Sequence, residues 1–264
     1  MSESQVVPEG IDATQMSHAR AYNYVLGGDV NYEIDRVGAG QVMALAPDLP
    51  VLGKAQRNFL LRVAEMCARQ GIKQFLDIGA GIPTSPSVHD TVKAVHPDAR
   101  VVYSDSDPIV LIHNNALMDA DGVACIQADV RDPDGFFANP QVRALVNLDE
   151  PALVIFAGLF HLITDEEDPA GLVANYRDRL APGSHLLISQ FCTDTSDPGA
   201  KAKLEEISKY SAAPMCFRLK SEIERFFDGL EVLPPGVVNV QDWWSDEETP
   251  ETMLQVVAGV GRKV

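Results

Sequence analysis

Gln74-Phe75-Leu76-Asp77-Ile78-Gly79-Ala80-Gly81-Ile82-Pro83-Thr84 is the stretch on which the reading of this chain turns. An apolar run leads into Asp77, glycines follow at 79 and 81, and a helix-like pattern comes next. Glycines there let the backbone turn tightly and approach a ligand that a side chain would exclude. In an open α/β sheet, ligands bind beyond the carboxyl ends of the strands, beside the point where strand order reverses. A dinucleotide fingerprint wants a third Gly or Ala three residues after the second, where Thr84 stands; a phosphate loop wants Gly-Lys-Ser/Thr, which is absent. What remains is Asp-x-Gly-x-Gly. An acid at a strand end suits a cationic ligand such as the ammonium and sulfonium of S-adenosylmethionine (SAM). A glycine turn that merely joins strand to helix is the competing reading.

Outward from this stretch, short β-rich runs alternate with helical ones. Strands are expected at Gln74–Ile78, Arg100–Ser104, Ala124–Ala128, Leu153–Ala157 and His185–Phe191, with helices at Ser85–Val95, Pro108–Met118, Pro140–Val146 and Pro169–Leu180. Asp107-Pro108 and Asp168-Pro169 each place an N-cap acid before Pro at the first helical position. Such alternation is the pattern of βαβ units and a parallel sheet. A helix to about Tyr210, another with Ser221 and Glu224 as a capping box, and late strands near 231–233, 237–240 and 254–259 complete the chain. Before the sheet, residues 1–15 read as a mobile arm and 16–72 as a helical cap or lid, leaving 73–264 as the ligand-binding domain. In the cap, Ala19, Tyr22 and Leu26 fall at helical spacing before Gly27-Gly28. Asp29 or Asn31 can cap a second helix holding Ile34, Val37 and Val42, and a third runs from Gly53 to Gln70.

Three strand ends carry acids in order: Asp77, Asp105 and Asp129. Asp105 stands where a ribose-binding acid falls in a βαβ unit, and its two oxygens can clamp adjacent hydroxyls. Asp129 can accept from an adenine amino group, while Asp107 reads as a helix cap. Each acid alone also reads as a cap or a solvated loop end. Asp77-Ile78-Gly79-Ala80-Gly81, Val102-Tyr103-Ser104-Asp105 and Gln127-Ala128-Asp129 resemble the successive SAM-binding motifs of class I methyltransferases. More narrowly, Ala19–Gly28 with its Tyr24-Val25-Leu26-Gly27-Gly28 ending, Arg57-Asn58-Phe59-Leu60, Ile82-Pro83-Thr84 and Tyr103–Pro108 resemble an actinobacterial family of SAM methyltransferases long known only as a domain of unknown function.

The resemblance implies an α/β, Rossmann-like seven-stranded sheet in order 3-2-1-4-5-7-6, the last strand antiparallel, with an N-terminal helical lid. It implies SAM as cofactor, leaving as S-adenosylhomocysteine (SAH), with Asp77, Gly79, Gly81, Asp105 and Asp129 as its residues. Their neighbours Ala80, Ser106, Val130 and Ala157 are expected to line the same site. From the lid, Arg20 can pair with the cofactor carboxylate and Tyr24 can cover its methionine arm. Pro83 departs from the broader class, which often has a third glycine there.

The fourth strand ends in Ala157-Gly158-Leu159-Phe160-His161. If the methyl acceptor is a hydroxyl it needs a base, and His161 has a suitable ordinary pKa; a structural histidine bonded to a backbone carbonyl is the other reading. His18, His89, His96, His113 and His185 read as surface or helix-end residues. The run Asp165-Glu166-Glu167-Asp168 is poorly spaced for a metal, because consecutive ligands rarely converge, so no metal is expected. Trp243-Trp244 reads as packing.

The formal charge of −17, from 21 basic and 38 acidic residues, argues against nucleic acid or an anionic membrane as partner. No secretory signal or membrane span is visible. Cys67, Cys125, Cys192 and Cys216 lie far apart, which points to free thiols in a reducing cytosol. The function expected is therefore cytosolic methyl transfer to a small molecule, with secondary metabolism as the setting. A non-catalytic SAM-binding sensor is the alternative, and it would lack an open acceptor pocket.

Overall fold

The computed structural model describes Val7 and residues 11–117, 120–194, 196–209, 214–244 and 251–264. Its centre is five parallel strands: β1 (Gln74–Ile78), β2 (Arg100–Asp105), β3 (Val123–Gln127), β4 (Leu153–Ala157) and β5 (His185–Phe191). Two short strands, β6 (Glu231–Val232) and β7 (Val238–Asn239), both pair antiparallel with β8 (Val256–Arg262), which runs antiparallel to β5. The order is β3-β2-β1-β4-β5-β8-β6, the expected arrangement with its sixth strand split in two. Pro234 and Pro235 fall at the split, and neither has an N–H to give to a ladder.

The parallel strands are apolar on both faces because both are covered. Alternate residues choose the side. Phe75, Val101, Leu153 and Ile155 pack with Phe59, Val63 and Cys67 of α3 (Leu49–Arg69). Leu76, Val102, Val154 and Phe156 pack on the other face with Phe136 of α6 (Pro133–Ala138) and Tyr176 of α8 (Pro169–Arg179). Thus α3 is part of the body of the sheet domain. Of the three helices read as an appendage, only α1 (His18–Val25) and α2 (Glu33–Leu45) lie outside the sheet's two layers, with α2 against α9 (Pro198–Ser208).

Several boundaries move for local reasons. The helix expected from Ser85 is the shorter α4 (Val88–Lys93), because Ser87 and Asp90 form a reciprocal cap: Asp90 N donates to Ser87 Oγ at 3.0 Å, and Ser87 N to Asp90 Oδ2 at 2.9 Å. The cap of α2 is Tyr32, whose N–H reaches Asp35 at 2.9 Å. Asn31 instead spends its side chain on Asn23 and Gly28. Ile34 and Val37 face outward, so the buried face of α2 runs through Gly38, Ala39 and Val42. Ser221 lies inside α10 (Lys220–Glu224), where Glu222 accepts from the cap residue Leu219 at 2.8 Å. The helix α6 was not expected, although Asp132-Pro133 is the same acid-proline start that marks α5 (Pro108–Leu117) and α8. In α7 (Pro140–Leu145) the expected Pro start holds. Ile11 and Ala13 pack against Tyr32, Ile82, Ile109 and Val110, so the end of the N-terminal arm is seated on the body. Residues 1–6 and 8–10 of that arm, and the expected helix ends Met118 and Tyr210, lie outside the described residues.

Candidate functional site

At the carboxyl end of β1 the chain turns on Gly79 (φ +71°) and Gly81 (φ +66°). Both lie in the left-handed region that side chains rarely adopt. The Gly79 and Ala80 N–H groups donate to Ser104 O at 2.8 and 3.0 Å, tying the turn to β2. A Cβ on Gly79 would meet Leu159 at 2.7 Å, whereas nothing lies within 4 Å of the same position on Gly81. The loop is therefore pinned on one side and open on the other.

Asp105 closes it. Its Oδ2 accepts from Gly81 N at 2.9 Å and its Oδ1 from Asp107 N at 2.9 Å. Burial raises its pKa, while those backbone N–H groups act in the opposite direction. A carboxylate has about four lone-pair sites, so each oxygen keeps capacity for a further hydroxyl. Asp107 is the expected helix cap, accepting from Ile109 N at 3.0 Å, and it also receives Ser17 Oγ at 2.5 Å from the segment before α1.

Asp77 is placed differently from the other two acids. It is buried in the sheet, and burial pushes its pKa up to about 7, with Arg57 lowering it and Asp105 raising it further. Asp77 does not line the cavity described below. By alternation along β1 its side chain shares the α3 side of the sheet with Phe75 and Tyr103. Arg57 donates to Pro86 O at 2.8 Å and Thr84 O at 3.4 Å and so holds the far side of the turn, with its Nε buried and unbonded. Asp129 lines the cavity, but Arg131 N donates to its Oδ1 at 2.9 Å and the Arg131 guanidinium pairs with it at 3.1 Å. The loop-end reading thus accounts for much of this carboxylate.

A cavity of about 570 Å³ spans these elements, within the roughly 300–1,000 Å³ usual for small-molecule sites. It collects Gly79, Ala80, Gly81, Asp105, Ser106, Asp129, Val130 and Ala157, as the sequence predicts, together with His161. It takes in Arg20 but not Tyr24. Tyr22 of the same helix lines it instead, with its hydroxyl donating to Gly53 O at 3.1 Å. Arg20 is largely committed. Its Nε pairs with buried Asp35 at 2.7 Å, and its Nη2 reaches the Asp12 and Gln15 carbonyls. Only Nη1 lacks a protein acceptor among the described residues, so Arg20 holds α1 to α2 before it can serve a ligand.

His161 sits in a single 3-10 turn after β4, buried, with its ring 5.0 Å from that of Phe191. Burial, then the charges of His18 and Arg218, push its pKa down to about 3. Its Nδ1 is buried without a hydrogen-bond partner. Beside it Gly158 (φ +68°) leaves no room for a side chain: a Cβ would meet Gln56 Nε2 at 2.5 Å and His161 Cε1 at 3.5 Å. Gln56 donates to Ser189 Oγ at 3.0 Å, which in turn accepts from Gly158 N at 3.0 Å.

Sequence reading missed Ser17, His18 and Gln56. For His18 the signal was present, since 18, 22 and 25 share one helical face. For Gln56 there was none, because its role depends on α3 crossing the end of β4.

The acid run 165–168 is consumed locally. Asp165 pairs with Arg218 at 2.7 Å, Glu167 with Arg131 at 2.5 Å, and Asp168 caps α8 through Gly171 N at 3.0 Å. Among the described residues no group of three His, Cys, Asp or Glu side chains could hold a metal, and no helix is long and apolar enough to cross a membrane. Trp243 is buried against Phe59 at 5.1 Å. None of the four cysteines is in a disulfide among the described residues, and Cys216 is only partly buried.

The profile of the S-adenosyl methyltransferase family matches residues 4–264. The fold superimposes on a Thermobifida fusca protein provisionally assigned as a methyltransferase, 35% identical, with a TM-score of 0.90 over 97% of this chain and 98% of that one. A DUF574 family protein from Streptomyces avermitilis is 32% identical, with a TM-score of 0.91 over 96% and 99% of the two chains. No protein of curated function matches the chain.

Proposed function

The chain belongs to the S-adenosyl methyltransferase family and is a SAM-dependent methyltransferase, and we propose that its acceptor is a small molecule held beside Gly158. The observation that carries this reading is the extent of the cavity. Its lining runs from the glycine turn and Asp105, past Gly158, to an apolar end, a second compartment walled by α2, α3 and α9. A non-catalytic SAM sensor has no use for that second compartment.

The cofactor half fits its ligand chemically. Open space over Gly81 admits a close approach, Asp105 offers free lone pairs to ribose hydroxyls, and the acids at the strand ends suit a sulfonium and an ammonium. When bound, SAM supplies an electrophilic methyl group. Gly79, Ala80 and Gly81 line the methionine side, Ser106, Asp129 and Val130 the adenosine side, and Ala157 the approach to the sulfur. His161, kept neutral by burial, orients the acceptor and is a weak proton acceptor. Helices α1 and α2 act as the lid, with Arg20 as their internal pin. The cavity scale and the net charge of −17 favour a small acceptor over a nucleic acid, as secondary metabolism would supply. The free thiols fit a cytosolic setting.

Thermal shift with SAM, SAH and NAD tests the cofactor half: the first two are expected to raise the melting temperature and NAD to leave it unchanged. Asp105→Ala, which removes a charge-assisted acceptor, is expected to weaken SAH binding by roughly 1.5–3 kcal/mol in calorimetry. An unchanged dissociation constant would remove Asp105 from the ribose.

A further inference from the structure

The second compartment of the cavity differs in chemistry from the first. Its walls come from five places in the chain: Met16 ahead of α1, Val42 of α2, Leu52 of α3, Leu204 and Ile207 of α9, and Met215 beyond it. Every ionisable side chain that α2, α3 and α9 carry points elsewhere, since their lining residues are Gly38, Ala39, Val42, Leu49, Leu52, Gly53, Gln56, Leu204, Ile207 and Ser208. The acids that line the cavity (Asp105, Asp107, Asp129) stand at the cofactor end, and Asp12 lies beside Arg20, whose own charge is met by Asp35.

The polar groups beside Gly158, where the two ends of the cavity meet, are Gln56 and His161. Gln56 gives its Nε2 to Ser189, and its Oε1 receives no donor from the described residues. An apolar chamber with a few convergent polar groups at one end holds an apolar body and orients one polar atom. Against the walls from α2, α3 and α9 a bound ion would find no counter-charge, which is costly in such a setting. An aliphatic amine is a cation at neutral pH and a carboxylic acid an anion, so the group that fits is a hydroxyl.

We propose that the compartment between α2, α3 and α9 is the acceptor site, and that its ligand is an uncharged, largely apolar alcohol or phenol whose hydroxyl meets Gln56 and His161. This rests on the methyltransferase reading and names its substrate class. The acceptor oxygen forms a bond to the methyl carbon as the carbon–sulfur bond breaks, and that electron pair stays on sulfur as a neutral thioether. The hydroxyl proton passes to the imidazole of His161, which burial holds uncharged.

The test uses the full chain saturated with SAH and three matched probes: 2-naphthol, 2-naphthoate and 2-naphthylmethylammonium. The naphthol is expected to bind at least tenfold more tightly than either ion. Ala39→Phe, which fills the compartment from α2, is expected to abolish naphthol binding and leave the SAH dissociation constant within twofold. Leu204→Gln, on a partly exposed face, is expected to weaken naphthol binding if Ala39→Phe does not fold. Equal or tighter binding of an ion, binding unaffected by both variants, or no binding of any probe overturns the proposal. Failure of SAH itself to bind, measured first and separately, would overturn the methyltransferase reading instead.

Discussion

At the residue scale, Asp77 is the informative acid, because its surroundings work against its charge. Its folded pKa of about 7 exceeds the ~3.9 of an unfolded aspartate. Between those values the folded chain holds a proton that the unfolded chain has lost, so this group's contribution to stability falls as pH rises from about 4 to about 7. Asp77→Asn, which mimics the protonated form, is therefore expected to raise the melting temperature relative to the parent more at pH 8 than at pH 4. Melting curves at the two pH values check it; an equal difference at both would mean that Asp77 is not held against ionisation. From sequence, Asp77, Asp105 and Asp129 looked like one set, spaced by strand ends. They differ because Asp77 lies within β1, one residue before its end, while Asp105 is the last residue of β2 and Asp129 follows the end of β3. Sequence spacing locates a strand end but not the depth of a side chain, and depth decides which of these acids line the cavity.

At the element scale, the βαβ run was legible because parallel strands buried on both faces read as unbroken apolar stretches, and acid-proline pairs marked helix starts. Less legible was the division of labour among the N-terminal helices. The stripe of α3 looks like that of any amphipathic helix, and only the sheet beneath it shows that it belongs to the body. The smaller unit, α1 with α2, is held by Arg20 and Asp35, both buried, with Ser17 N and Tyr32 N on the same carboxylate at 2.9 Å each. Removing one partner of a buried pair costs roughly 3–5 kcal/mol. Asp35→Ala is expected to speed hydrogen exchange across residues 18–45 while leaving β1, β4 and β5 protected, and SAH is expected to slow exchange in α1 of the parent. Loss of protection in the strands as well would mean that α1 and α2 are integral to the body and do not act as a lid.

At the scale of the whole molecule, the charge of −17 and the acids at the cofactor end act on a ligand before contact. SAM carries one net positive charge at neutral pH and SAH none, so the protein's field favours the substrate over the product. Raising salt from about 20 to about 300 mM shortens the screening length across the about 10 Å found at 0.1 M. SAM association is expected to slow several-fold over that range and SAH association to change little, as stopped-flow binding would show. The split sixth strand bears on the molecule's dealings with its own copies. Among the described residues, two short strands pair along that outer side of β8, and Pro234 and Pro235 break the row of N–H groups between them. A sheet whose margin is interrupted in this way gives an arriving strand no continuous ladder to extend, so crowded chains are denied one common route into fibrils.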